Sequence, residues 1–204
     1  VDSFLCLAQQ KLQLNYSEVN MGDLTNLQTK FFQSNYEDAA YLFALKVLST
    51  HKKRGGDYFK GALPFAFVQL EYHASVLNQL DSMSYYNRQL GQLLKKKLPS
   101  WIKVAYYSNK AFLTRTNGSY YTALLLYNQA LKYCSPHEKE QVSYVYHSLA
   151  NLYLTMENYD KAYEYAQLSV KQVGFNNFSP QQLNMVGTIQ AKVGQLNEAE
   201  RSFK

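Results

Sequence analysis

From Trp101 onward, apolar and small residues return every three or four positions in runs of about 15 residues, separated by short polar breaks. That period lays one apolar stripe along each of a series of amphipathic helices. The pattern predicts a hairpin of Trp101 to Thr116 with Tyr120 to Cys134. A second pairs a helix from near Pro136 with Tyr159 to Val173, turning at Met156-Glu157-Asn158. A third starts at Ser179-Pro180, a cap followed by the proline favoured in a first turn, and breaks at Gly194. Upstream the signal is weaker. A helix opening at Asp2 or Ser3 carries Phe4, Leu5, Ala8 and Leu12; a second, Asp23 to Gln33, carries Leu24, Leu27 and Phe31; after Ser34-Asn35, Glu37 to Leu48 returns. Arg54-Gly55-Gly56-Asp57 breaks the period, and a long helix follows from Ala62 to Leu80. A turn at Asp81-Ser82 and a last helix to Leu98, stopped by Pro99, complete the reading. About five hairpins are implied, the fifth incomplete.

Four stretches say nearly the same thing: SNYEDAAYLFAL from Ser34, GSYYTALLLYNQAL from Gly118, ENYDKAYEYAQLSV from Glu157 and GQLNEAERSF from Gly194. Each sets a turn residue before Tyr36, Tyr120, Tyr159 or Leu196, and an alanine three positions on: Ala39, Ala123, Ala162, Ala199. Ala123 and Ala162 are 39 residues apart, Ala162 and Ala199 37. Recurrence at this period predicts an all-α solenoid, a superhelix in which each hairpin buries its apolar face on its neighbours. In the frame that treats Met83 as the leading apolar residue, Tyr86 stands in the alanine position, 37 residues before Ala123. Ala39 is then 47 residues before it, so the first junction carries an insertion.

The run Tyr146-x2-Leu149-Ala150-x2-Tyr153, then Tyr159, Ala162 and Ala166, resembles the tetratricopeptide repeat. Tyr107, Ala111, Tyr120, Ala123, Tyr127, Ala130 and Leu131 supply a second copy, with Lys110 and Thr114 where Leu and Tyr are usual; Val186-Gly187, Gly194, Ala199 and Phe203 supply a third. The likeness is strong over 101–204 and divergent over 1–100, and the whole chain reads as one repeat domain. Small residues such as Ala111, Ala150 and Gly187 let paired helices approach closely, and the aromatics fill the gaps between repeats. The long period is similar to the divergent bacterial branch of the family. The resemblance implies a right-handed superhelix and a non-enzymatic scaffold or sensor that binds a protein or peptide in the groove formed by first helices. By helical phase, the residues facing that groove are Glu71, Ser75 and Asn78; Ser108, Phe112 and Arg115; His147, Asn151 and Leu154; and Asn184, Thr188 and Ala191. Such a surface suits an extended peptide. The carboxylate clamp of chaperone-binding relatives is not matched, since of its basic and Asn pairs only Asn151 fits.

The family context implies the sensory part of a bacterial signalling or transcription regulator; the alternatives are a cytoplasmic peptide-pheromone receptor and a regulatory subunit of a signalling enzyme. Either side of a membrane is compatible. The partner is a protein or peptide, a second copy of the chain included. The chain opens on Val1 and stops at Lys204 inside an expected helix, as a piece of a longer protein would.

Composition changes this picture little. With 47% apolar and 15% aromatic residues the chain has no signature of disorder. The net charge of +6 is dispersed except at Lys52-Lys53-Arg54 and Lys95-Lys96-Lys97, which close expected helices, where cations complement the dipole. No recognition element accompanies them, so no nucleic acid is expected to bind this segment. The longest apolar run, Ala62 to Val68, is far short of the ~20 residues of a membrane span. Cys6 and Cys134 make no disulfide framework. Cys134 and His137 have a spacing found in metal sites, but no second pair completes a tetrahedral set, so neither metal nor cofactor is expected. The glycines at 55 and 56 lack the spacing of a phosphate loop. Carboxylates such as Glu138, Glu140 and Glu164 follow polar helix faces, without a convergent base and nucleophile. Most of the 19 tyrosines sit at packing positions, leaving Tyr72, Tyr106 and Tyr144 as surface anchors. Three Asn-x-Ser triplets, at Asn15, Asn117 and Asn177, are read as coincidental.

Overall fold

The computed structural model describes residues 41, 44, 45, 48, 62–95 and 97–203. The expected helices over 2–12 and 23–33, most of 37–48, Ala39, Cys6, the segments 52–54 and 54–57 and the Asn15 triplet lie outside the described residues, as does Lys96. Among the described residues the fold is all-helical, with no strand. Contacts divide the chain into two units, 1–97 and 98–204. In the first, α1 (Ala62–Val76) pairs with α2 (Leu80–Leu93). In the second, α3 (Ser100–Thr116) pairs with α4 (Tyr120–Tyr133), α5 (Lys139–Thr155) with α6 (Tyr159–Val173), and α7 (Pro180–Lys192) with α8 (Leu196–Phe203).

One turn closes all four pairs. Asn78, Gly118, Glu157 and Gly194 adopt left-handed backbone, with φ of 54°, 78°, 57° and 81°. The residue after each donates its N–H to a carbonyl five positions back: Gln79 to Ala74 (2.8 Å), Ser119 to Thr114 (3.1 Å), Asn158 to Tyr153 (2.9 Å) and Gln195 to Gln190 (2.8 Å). This is the Schellman arrangement, which satisfies helix-end carbonyls and reverses the chain within three residues. Helix starts are capped where the sequence provides for it. Asn158 Oδ1 accepts from the Lys161 N–H, and Ser179 and Gln182 form a reciprocal capping box behind Pro180.

The repeating turn corrects the reading of the first unit. The break falls at 77–79, and Asp81 and Ser82 lie inside the first turn of α2, where Asp81 favours the positive end of the helix dipole. The helix ends at Leu93, not Leu98. Buried residues then follow one register, 3, 7 and 10 positions into the second helices of the first three pairs: Met83, Asn87 and Leu90 in α2; Ala123, Tyr127 and Ala130 in α4; Ala162, Ala166 and Ser169 in α6. Met83, not Tyr86, therefore takes the alanine position. Tyr86 is half-buried, its ring 6.4 Å from Phe67 and edge-on to Tyr85 at 5.4 Å.

Small residues sit where helices meet. Ala111, Ala123, Ala150 and Ala162 are fully buried. A Cβ on Gly187 would lie 2.7 Å from the Phe203 ring, so α7 and α8 close only over a glycine. Between α5 and α6 one buried contact is polar. Ser143 Oγ donates to the Ser169 carbonyl (3.0 Å), Ser169 Oγ to the Ser143 carbonyl (2.8 Å), and the hydroxyls are 2.9 Å apart, all buried. Every polar atom of this pair is satisfied across the interface, so burying it carries no desolvation penalty of an unpaired group.

Candidate functional site

Within the second unit, α5 touches both α3 and α7, so the three first helices present neighbouring faces. Phe112, Arg115, Asn151 and Leu154 are half-buried, and Asn184, Thr188 and Ala191 are exposed. The Arg115 guanidinium lies over the Phe112 ring, Cζ 5.3 Å from its centroid. A ring in that position attracts the cation without using its N–H donors. Arg115 and Asn151 make no side-chain hydrogen bond or ion pair among the described residues. Thr188 turns its hydroxyl back onto the Asn184 carbonyl (2.8 Å).

His147 takes a different position from the one its helical phase suggests. Its ring stands edge-on to Phe178 at 6.1 Å, and its Nδ1 is buried with no hydrogen-bond partner among the described residues. Burial, and then the nearby Arg115 cation, hold its pKa down to about 4, so the imidazole is neutral at pH 7. It closes the floor of the face between α5 and the chain entering α7.

Two expected groove residues are not on any surface. Ser108 is 1% exposed and Glu71 0%. In α1 every residue from Leu63 to Glu71 is buried, and a helix buried on all sides carries no phase from which a groove face can be read. Ser108 fails for a simpler reason: a small hydroxyl fits where helices approach closely. Ser75 is half-buried with its hydroxyl donated to the Tyr72 carbonyl (2.7 Å), and Asn78 is the left-handed turn residue rather than a helix-face residue. These three residues of α1 and its turn belong to the first unit. Of the expected aromatic anchors, Tyr72 and Tyr144 are exposed but Tyr106 is 8% exposed and packs edge-on against Tyr107 at 5.0 Å.

Sequence reading missed a cavity of about 480 Å³ behind α5, lined by Lys139, Tyr144, Gln172, Asn177, Phe178 and Gln182. Its walls come from three helices and a 3₁₀ turn at Phe175–Asn177, a convergence that no single-helix period reveals. The exposed Tyr144 was its one legible mark. Cys134 is half-buried, and burial, then the Glu138 carboxylate, push its thiol up to about 11, so it stays protonated and unreactive at neutral pH. Among the described residues no group of His, Cys, Asp or Glu could hold a metal ion. None of the described helices is long and apolar enough to cross a membrane.

No protein-family model matches the chain, and no curated protein matches it. Among solved structures it is similar to the crystal structure of BtubC (BKLC) from P. vanneervenii. The TM-score is 0.59, with 14% sequence identity over 89% of this chain and 76% of that one. At that identity the likeness is one of fold, and it accords with the all-helical architecture.

Proposed function

We propose that the chain is a binding module of the tetratricopeptide-repeat type, an α-solenoid whose first helices form the face that takes a protein or peptide segment. The repeating turn at Asn78, Gly118, Glu157 and Gly194, and the small residues buried in register on the second helices, support the solenoid part of this reading. One observation carries the binding part. Phe112 with Arg115 on α3, and Asn151 with Leu154 on α5, place an aromatic ring, an aliphatic side chain and two unused polar groups on adjoining helices. That mixture is what an extended peptide needs: apolar anchors for affinity and amide or guanidinium donors for its main chain. The fully packed residues around it, Ala111, Ala150 and Leu149, make the platform rigid, so little entropy is lost on docking.

The test is selection of 12-residue peptides displayed on phage against the full chain, beside a variant carrying Phe112→Ala and Asn151→Ala. Enrichment on the native chain and its loss on the variant is the expected result. Equal enrichment on both would place the binding surface elsewhere.

A further inference from the structure

In the second unit positive charge is in excess on the first helices and balanced on the second. The first helices α3, α5 and α7 hold Lys103, Lys110, Arg115, Lys139 and Lys192 against a single carboxylate, Glu140, at the start of α5. The second helices carry Asp160, Glu164, Glu198 and Glu200 alongside Lys132, Lys161, Lys171 and Arg201, so their charges balance, and Glu138 and Glu157 are in loops. On α3 no carboxylate is present at all, and each cation rests on an aromatic ring. Lys103 Nζ is 4.9 Å from the Tyr133 centroid, Lys110 Nζ 5.5 Å from that of Tyr106, and Arg115 Cζ 5.3 Å from that of Phe112. Lys110 also donates to the Tyr106 hydroxyl at 3.2 Å.

These cations do not form one stripe. At 100° per residue, Arg115 lies about 140° around the helix from Lys110, while Lys103 and Lys110 share a side. A nucleic acid backbone is met by a continuous basic track. The face of Phe112, Asn151 and Leu154 instead offers one guanidinium fork with no protein carboxylate to occupy it. A fork of that kind matches a single carboxylate with two parallel charge-assisted bonds.

Resting on the peptide-binding reading above, we propose that the partner is an acidic peptide segment. One of its Asp or Glu side chains docks on Arg115, where the guanidinium lies over Phe112, and an apolar side chain beside it packs toward Leu154. The Asn151 amide, one turn beyond His147 on the adjoining helix, bonds the peptide main chain. The contact with Phe112 restrains the guanidinium before the partner arrives, so less side-chain freedom is lost on binding.

The experiment sequences the peptide pool selected on the full native chain and measures representative members by fluorescence polarisation. Each is compared with its Glu→Gln or Asp→Asn counterparts, on the native chain and on Arg115→Gln. A single-stranded oligonucleotide serves as competitor, and circular dichroism confirms that the variant is folded. The expected pool is rich in Asp and Glu. One carboxylate per peptide should lose roughly tenfold in affinity on amidation, Arg115→Gln should cause a similar loss, and the two changes together should cost little more than either. A neutral or basic pool, or affinities that Arg115→Gln leaves unchanged, would overturn the acidic assignment while peptide binding stands. Displacement of the peptides by submicromolar oligonucleotide would overturn it in favour of nucleic acid. A pool equally enriched on the Phe112→Ala, Asn151→Ala variant removes the binding face itself.

Discussion

Lowering the pH from 7.5 to 5.0 should destabilise this protein through His147. In the folded chain the imidazole is enclosed between α5 and Phe178, has an unpartnered Nδ1, and lies near the Arg115 cation; its pKa is about 4 against 6.5 in the unfolded chain. The unfolded chain therefore takes up the proton first as the pH falls. The contribution of neutral His147 to stability is complete above pH 6.5, declines below it, and is gone once the pH is under about 4. Fully titrated, the difference is worth roughly 3 kcal/mol, and at pH 5.0 about 2 kcal/mol. Urea denaturation followed by fluorescence of Trp101, the single tryptophan of the chain, should be run at both pH values on the native protein and on His147→Gln. The other titrating groups are common to the two proteins and cancel in the comparison. The native chain should lose about 2 kcal/mol more than the variant over this interval. Parallel losses, together with an imidazole NMR titration centred near 6.5, would refute the enclosed geometry assigned to His147.

Three further substitutions test the packing. Glu157 holds a left-handed φ of 57° that glycine fills at Gly118 and Gly194, so Glu157→Gly should raise stability by about 1 kcal/mol, measured by urea midpoint. A lower midpoint would mean that the Glu157 side chain contributes more than its backbone strain costs. Ser143→Ala or Ser169→Ala should each cost about 1 kcal/mol, and the double variant should cost less than their sum, because the two hydroxyls also touch each other and either single change already removes that contact. Strict additivity in thermal denaturation would contradict the contact between the hydroxyls. Ala162→Leu, at a fully buried site on α6, should overpack its junction by about 1–3 kcal/mol, and an unchanged midpoint would show that the register assigned to the second helices is wrong.

Residues whose role is local were legible in the sequence. Ser179-Pro180 announced a cap and formed the full capping box, and the turn at 156–158 fell where its polar residues placed it. The alanines at 123, 162 and 199 are all buried because a periodic small residue has few other uses. Reading failed where the outcome depends on neighbours. Asp81-Ser82 has turn chemistry, yet Asp is equally at home in a helix's first turn, and Asn78 had the better claim to a left-handed backbone. Helical phase gave the direction of Ser108 and His147 but could not say what lay there. A first helix in such a stack is approached from several sides, and only the outermost part of its arc stays open. Phe112, Arg115, Asn151 and Leu154 are at the edge of that arc, half-buried, which helical phase alone does not distinguish from the buried interior.

Where a bound peptide touches the protein decides whether the first-helix face is the binding surface. Backbone amide NMR spectra of the full chain, titrated with a selected peptide, should show shifts concentrated at Phe112, Arg115, Asn151 and Leu154 on α3 and α5. Shifts centred instead on the exposed Tyr121 and Leu125 of α4, or on Tyr144 and Gln172 around the cavity, would contradict the assignment of the first-helix face as the binding surface.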